Sequence, residues 1–469
     1  MEKGETVKAG ATFLTVLVFL WVSVASQIQG QILGVVFLAL VVWSLYPERH
    51  LESSILIIAL LSFFQASLDV GEFIESLFST YGGSGLWIIV SGFVLAKAME
   101  MSGLGRRIAL WIATSLGGRP GGIVLSVAVA NLAVAPLSPS TTAKAFLLLP
   151  ICLGLVEAFE VDKGRSKFGA AVMLMAMAAN NICSTAFLTA TVPNPISAQY
   201  LNEAAGLEIG WLGWLRMALP LTLLLLAASW FICMKMFKPD VKESRESLER
   251  IRSLREGLGP LGRNEKIVAV FFAVALALWI TDGLHPYNAG IVSLALSLVL
   301  FIPAVGVIKV EGFAGEVPWG SITLFAASMF LAKAVGRWRA LDPVAIKVFE
   351  VFNLSGADAA LFTVLVVLVS MFLHFFFTST TVYATVMVPL AISLAQLQGL
   401  NPLMVALPVA FLAPVAVILP VNTIPNIVFH SAGYFNQKQM IAYGLVVSLI
   451  STAVVLLMGL PYWSLLGLI

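Results

Sequence analysis

Apolar residues run along the chain in long blocks, and polar residues gather in the gaps between them. Blocks fall at 11–26, 30–45, 53–68, 84–101, 121–159, 168–201 and 211–237. After a polar break at 238–266 they resume at 267–281, 288–308, 319–335, 359–397, 404–429 and 440–460. A helix crossing a bilayer needs about 20 apolar residues, so most blocks predict one membrane helix each. Two blocks, 121–159 and 359–397, are nearly twice as long, and each carries a Ser/Thr run at its middle. Such a block either crosses twice or enters and returns on one side as a re-entrant hairpin.

Composition settles the class. Of 469 residues, 59% are hydrophobic and 11% charged, whereas a soluble domain carries about 25% charge to cover its surface. The chain is therefore expected to be an all-α, polytopic integral membrane protein. Its first block follows a mixed-charge start (Glu2, Lys3, Glu5, Lys8) and is expected to be a retained span, not a cleaved leader. A net charge of +2 with no long basic face argues against a nucleic-acid partner. Cys152, Cys183 and Cys233 lie inside apolar runs and are expected to be small buried hydrophobes. The histidines, His50, His285, His374 and His430, are too scattered for a metal site. With no phosphate-binding glycine loop, ATP-driven transport is not expected.

Basic residues favour the cytoplasmic side of a membrane. With the N-terminus in the cytoplasm and both long blocks as hairpins, the cytoplasmic segments hold Arg49, Arg106, Arg107, Arg119, Lys163, Arg165, Lys167, Lys309 and Lys438. The central loop joins them, and its mixed signs predict a solvated connector. The opposite loops hold acids or neutral residues, with three exceptions: Arg337, Arg339 and Lys347. About eleven crossings follow, with the C-terminus outside. Double crossing of each long block would give the same sides.

The chain also repeats itself. Leu95-Ala96-Lys97-Ala98 recurs as Leu331-Ala332-Lys333-Ala334, 236 positions on. Ser140-Thr141-Thr142 followed by Pro150 recurs as Ser379-Thr380-Thr381 followed by Pro389, 239 on, and Thr191-Val192-Pro193-Asn194 recurs as Thr423-Ile424-Pro425-Asn426, 232 on. Three matches in one order indicate duplication. An odd number of crossings per half turns the second copy upside down, an inverted-topology repeat of the kind secondary transporters use. The expected division is a first helix at 1–29, one repeat at 30–237 (hairpin 121–159, broken helix 168–201), a cytoplasmic linker at 238–266, and a second repeat at 267–469 (hairpin 359–397, broken helix 404–429).

Polar side chains inside an apolar block need partners. A single Ser or Thr usually bonds its own helix; here they come in runs, at the centres of overlong blocks, and in two copies. Pro136 and Pro139 break the first block just before its run. A helix that restarts there offers free N–H groups and a positive dipole end suited to an anion. Pro193 and Pro425 break their helices in the same way, and Asn194 and Asn426 are expected to face a cavity. Freed carbonyls could hold small cations such as sodium. Lys144 is expected either to attract the anion or to snorkel to the interface, since a lysine at mid-bilayer costs about 2.5–3.5 kcal/mol. Its repeat counterpart is Tyr383. Lys97 and Lys333, nearer helix ends, are expected to snorkel.

The run Ala135-Pro136-Leu137-Ser138-Pro139-Ser140-Thr141-Thr142-Ala143-Lys144 resembles the divalent-anion/sodium symporter family, nearest the branch of citrate/succinate antiporters and plastid 2-oxoglutarate/malate translocators. That branch reads Ala-Pro-Leu-Thr-Pro-Ser-Asn-Thr-Ala-Arg. His374-Phe375-Phe376-Phe377-Thr378-Ser379-Thr380-Thr381 and Leu261-Gly262-Arg263-Asn264-Glu265-Lys266 are similar to two further family segments. The resemblance implies a homodimer with a static scaffold and a moving domain, working as an elevator. It makes Ser140, Thr141, Thr142, Ser379, Thr380, Thr381 and Thr423 substrate contacts. Sodium is then expected at Ser140, Thr141 and Ala190, and at Ser379, Thr380 and Asn422. Both tips carry threonine (Thr141, Thr380) where sodium-coupled members usually have asparagine at least once, leaving sodium coupling, proton coupling and exchange all open.

The expectation is a cell-membrane secondary carrier of small organic dianions, such as di- or tricarboxylates. A same-fold carrier of an inorganic oxyanion such as sulfate, and an anion channel, are the alternatives. The Gly82-Gly83-Ser84-Gly85 run has the pattern of an intramembrane serine protease, but it lies at a loop edge beside acids and reads as a flexible turn. No enzyme is expected.

Overall fold

The computed structural model describes residues 15–17, 27–66, 70–115, 119–243, 245–303, 305–309, 313–352 and 358–469. The predicted first span at 11–26 lies outside them, apart from three helical residues, 15–17. The described residues hold helices and no strand.

Ten helices come first: α1 (Ile28–Leu45), α2 (His50–Ala66), α3 (Val70–Tyr81), α4 (Ser84–Ser102), α5 (Leu104–Ser115), α6 (Pro120–Val134), α7 (Thr141–Glu157), α8 (Lys167–Cys183), α9 (Pro193–Ala205) and α10 (Trp211–Met236). A linker helix, α11 (Arg245–Glu256), follows. The same order then runs again through α12 (Arg263–Ile280), α13 (Ala289–Val299), a single turn (Phe313–Glu316), α14 (Trp319–Trp338), α15 (Asp342–Phe352), α16 (Ala359–His374), α17 (Thr380–Leu397), α18 (Pro402–Leu412), α19 (Ile424–Ser431) and α20 (Gln437–Val454). A short helix, α21 (Leu460–Leu465), ends the chain. Seven helical segments are long and apolar enough to cross a membrane, and five shorter apolar helices accompany them.

The structure differs from the block reading in two ways. The block at 288–308 is helical only over Ala289–Val299; turns follow, where Pro303 cannot continue a helix and Gly306 takes φ +66°. Second, α3, α5 and α15 are short amphipathic helices that long-block counting passes over. Their apolar residues recur at helical spacing instead of in a run.

The two halves interlock. Helix α4 packs on α13 of the other half, and its counterpart α14 packs on α2. Helix α9 packs on α17, and α19 on α7. Helix α14 lies antiparallel to α1: Gly320 meets His50 just past the end of α1, while the Gln29 amide donates to the Arg339 carbonyl at 2.8 Å. Helix α8 forms the axis. Every residue from Phe168 to Cys183 is buried, as expected of a helix apolar on all sides. Gly444 lets α20 press onto the loop before α19, where a Cβ would collide with the Val417 carbonyl. On the linker side, Arg107 of α5 meets Glu265 at 2.6 Å and donates to the carbonyls of Leu258, Gly259 and Pro260, fastening α5 to the start of α12.

Candidate functional site

Both overlong blocks break at their polar runs. The first helix arm, α6, stops at Val134 and a 3-10 turn covers Ala135–Leu137. The chain is extended at Ser138 and Ser140, and α7 starts at Thr141. Ser140 caps that helix, its Oγ accepting from the Ala143 amide at 3.1 Å. In the second copy, α16 stops at His374, and Ser379 Oγ caps α17 by accepting from the Val382 amide at 3.4 Å. A capping hydroxyl uses its oxygen and keeps its proton for an incoming acceptor. The side chains of Thr141, Thr142, Thr380 and Thr381 are half-buried beside the capped ends.

The loops before α9 and α19 share one construction. Asn194 Nδ2 donates to the carbonyls of Ser184 (2.7 Å) and Phe187 (2.8 Å), ten and seven residues back. Asn426 Nδ2 donates to those of Ala416 (2.7 Å) and Leu419 (2.9 Å), again ten and seven back. The expectation that these amides face a cavity is thus corrected. They turn inward, because the interrupted chain leaves buried carbonyls that need donors. Pro193 and Pro425 occupy the first turns of α9 and α19, where no intrahelical donor is required. Thr423 caps α19, accepting from the Asn426 amide at 3.4 Å. Asn181 of α8 donates to Asn426 Oδ1 at 3.0 Å and joins the two halves.

Each loop also holds its own hairpin tip. Thr189 donates to the Pro136 carbonyl at 3.3 Å. Asn422 donates to the carbonyls of Phe375 at 3.3 Å and Phe377 at 3.0 Å, and accepts from the Leu419 amide at 2.9 Å. Pro136 and Phe375 stand 239 apart, the offset of the two Ser-Thr-Thr runs.

Lys144 does not snorkel to the interface. It is buried at 3% exposure, and its ammonium donates to Ser184 Oγ at 2.8 Å and to the Ala190 carbonyl at 2.7 Å. The loop after α8 supplies these neutral acceptors within reach, so the side chain bends inward instead of out to the interface. Tyr383, its counterpart, binds Ser370 and stacks on His374 with ring centroids 4.0 Å apart.

A cavity of about 800 Å³ opens beside the first tip. Ser140, Thr142 and Lys144 line it with Lys97, Arg106 and Pro318. Its size lies within the usual range for a small-molecule site. Thr141, Ala190, Ser379, Thr380, Thr381, Asn422 and Thr423 are not among its lining. A second cavity, of about 450 Å³, lies between α9, α14 and α17 and reaches the hairpin arm only at Pro389 and beyond. The first cavity borders Pro318, which caps α14, and the second borders Arg337 and Arg339 at that helix's far end. Twenty helical residues separate these ends, about 30 Å, close to the thickness of a bilayer core.

Ser184, Thr189 and Asn181 hold the site's loops and Lys144 through hydrogen bonds that the sequence reading missed. The adjacent amides Asn180-Asn181, alone in an apolar run, were the available signal.

A profile of the family described as "Sodium:sulfate symporter transmembrane region" matches residues 7–469. Among curated relatives, a sodium-dependent dicarboxylate transporter of Staphylococcus saprophyticus is 30% identical, with 83% of this chain and 79% of that one aligned. A chloroplastic dicarboxylate transporter of Spinacia oleracea is 27% identical over 84% and 70% of the two chains, and the citrate/succinate antiporter of Escherichia coli K12 is 25% identical over 81% and 79%. In fold the chain is similar to the YdaH transporter of Alcanivorax borkumensis (TM-score 0.58, 14% identity, 85% and 89% of the two chains). It is also similar to MtrF of Neisseria gonorrhoeae (TM-score 0.57, 15% identity, 87% and 94%). With a profile that spans nearly all of it and a relative 30% identical over most of both chains, the chain belongs to the divalent-anion/sodium symporter family and is a multi-pass membrane transporter, not an enzyme.

Proposed function

We propose that the protein carries small di- and tricarboxylate anions by alternating access, with residues 30–237 and 267–469 as two inverted halves. On this reading α6–α7 and α16–α17 are re-entrant hairpins, and they move with α8–α9 and α18–α19 as the elevator. About eleven helices cross, with the N-terminus in the cytoplasm and the C-terminus outside. The carrying observation is the one-sided cavity, which reaches Ser140 and Thr142 while the cavity at the other end of α14 stops at Pro389. That asymmetry suits a carrier at rest with one face open, and a channel would need continuous access. At its tips the moving unit meets α1 and α4: Thr378 donates to the Ser44 carbonyl at 2.6 Å, and Pro139 lies against Gly92. Association as a homodimer follows from the family reading.

The substrate meets two capped helix starts whose hydroxyls and free N–H groups bind carboxylate oxygens. Ser140, Thr141 and Thr142 would take one carboxylate, and Ser379, Thr380, Thr381 and Thr423 the other. Three relatives named for dicarboxylates or citrate favour this class over sulfate.

Sodium would be a co-transported ion. Near Ala190 the chain does not fit it, because the Lys144 ammonium already holds that carbonyl. At Ser379, Thr380 and Asn422 the counterpart of Lys144 is Tyr383, so no lysine opposes a cation from that position. Coupling therefore uses the second half at most, or the protein exchanges anions.

Liposomes loaded with unlabelled succinate test the proposal. Counterflow should accelerate uptake of labelled succinate, and Thr142→Ala and Thr381→Ala should each abolish it while leaving a folded protein. Normal uptake by both variants would remove the tips from the site.

A further inference from the structure

The second cavity stands on the one group of cations that breaks the sidedness rule. Arg337 and Arg339 were exceptions among the outward loops, and both line it together with Lys333, Glu203, Asp342 and Gln396. Lys333 is the repeat counterpart of Lys97, which lines the first cavity. Three cations and two acids line the second cavity, and Glu75 of α3 also acts electrostatically on Lys333. Asp342 is paired with Arg339 at 2.6 Å, and the Arg337 guanidinium rests over the Trp338 ring at 5.2 Å.

Backbone conformation marks the same place. Helix α4 ends at Gly103 with φ +78°, and the position 236 residues on is Arg339, with φ +48°. That left-handed conformation suits glycine and disfavours a residue with a Cβ. The second half keeps an arginine where the first has glycine. Strained positions of this kind concentrate at functional sites.

We infer that this cavity is an anion-capture vestibule for the face opposite the first cavity, binding a small polycarboxylate through Lys333, Arg337 and Arg339 before it reaches the hairpin tips. The inference rests on the proposed carboxylate transport. Clustered cations at a mouth with low-dielectric walls attract an anion, and salt weakens that attraction.

Membrane vesicles of the two orientations, right-side-out and inverted, test it with labelled succinate at low and high ionic strength. Lys333→Gln and Arg337→Gln should each raise KM about fivefold at one face only, as expected for one charge removed about 8 Å from a dianion in water. The wild-type KM at that face should rise with salt, and the variants should lose most of that rise. Arg339→Gly should raise the same KM without lowering thermal stability, because the backbone strain is relieved. An unchanged KM in all three variants at both faces, with wild-type transport intact, overturns the vestibule. So does a defect cured by added anionic lipid, which would make the cavity a headgroup site. Absence of any carboxylate transport by the wild type overturns the transport reading instead.

Discussion

Replacing Lys144 by methionine tests the proposed division of labour between the two halves. The ammonium now stands 2.7 Å from the Ala190 carbonyl and 2.8 Å from Ser184 Oγ. A sodium ion bound to the same carbonyl would lie roughly 4 Å from it. At an effective dielectric of about 20 the repulsion is about 4 kcal/mol, on the order of a thousandfold in affinity. Lys144→Met removes that barrier and leaves the Ala190 carbonyl without this donor, at a cost of about 1–3 kcal/mol. Ser184 still donates to the Asn180 carbonyl at 2.6 Å, so the loss concentrates on Ala190. The assay is thermal unfolding of purified protein in sodium chloride against choline chloride at equal ionic strength. The variant should unfold at a lower temperature than the wild type in choline and recover saturably as sodium replaces it. The wild type should show a smaller response. Identical sodium responses in the two proteins would refute the idea that lysine holds the place of a cation.

Two other outcomes follow from the geometry. Asn194→Ala and Asn426→Ala each leave two loop carbonyls without their amide donor, so each should lower stability by about 2–4 kcal/mol. Asn426→Ala should be the worse, since it also removes one of the two acceptors of the Asn181 amide, and thermal denaturation checks the order. In the linker, burial pushes the Asp240 carboxyl up, but the amides of Lys167 and Phe168 and the Ser166 hydroxyl outweigh it and hold it below the usual carboxylate range. A lowered carboxyl stabilises the fold above its unfolded value, about 3.9, and loses that contribution as pH falls through the lowered folded value. Asp240→Asn should therefore melt below the wild type at pH 7, and the gap should close as pH drops below about 4. A gap that persists in acid would count against it.

The sequence by itself determined the membrane class, the doubled helix order and the places where helices stop. Each of these depends on features local in the chain: the length of an apolar block, a proline, a Ser-Thr-Thr run. Hydrophobic burial and helix termination need no knowledge of distant neighbours, so 136–142 and 374–381 could be read directly. The amphipathic helices α3, α5 and α15 were also local, and were missed because block counting ignores period. What only the tertiary structure decided was the direction of polar side chains. Lys144 could reach substrate, interface or interior from the same backbone position, and the loop that supplies Ser184 and Ala190 lies 40 and 46 residues away. Asn194 and Asn426 turned inward because a broken helix strands its own carbonyls in a dry interior, where each must find a donor. Arg337 and Arg339 looked like errors of sidedness until the fold gathered them with Lys333 around one cavity. A buried polar group is placed by whichever partner satisfies it at least cost, and that partner is chosen by packing.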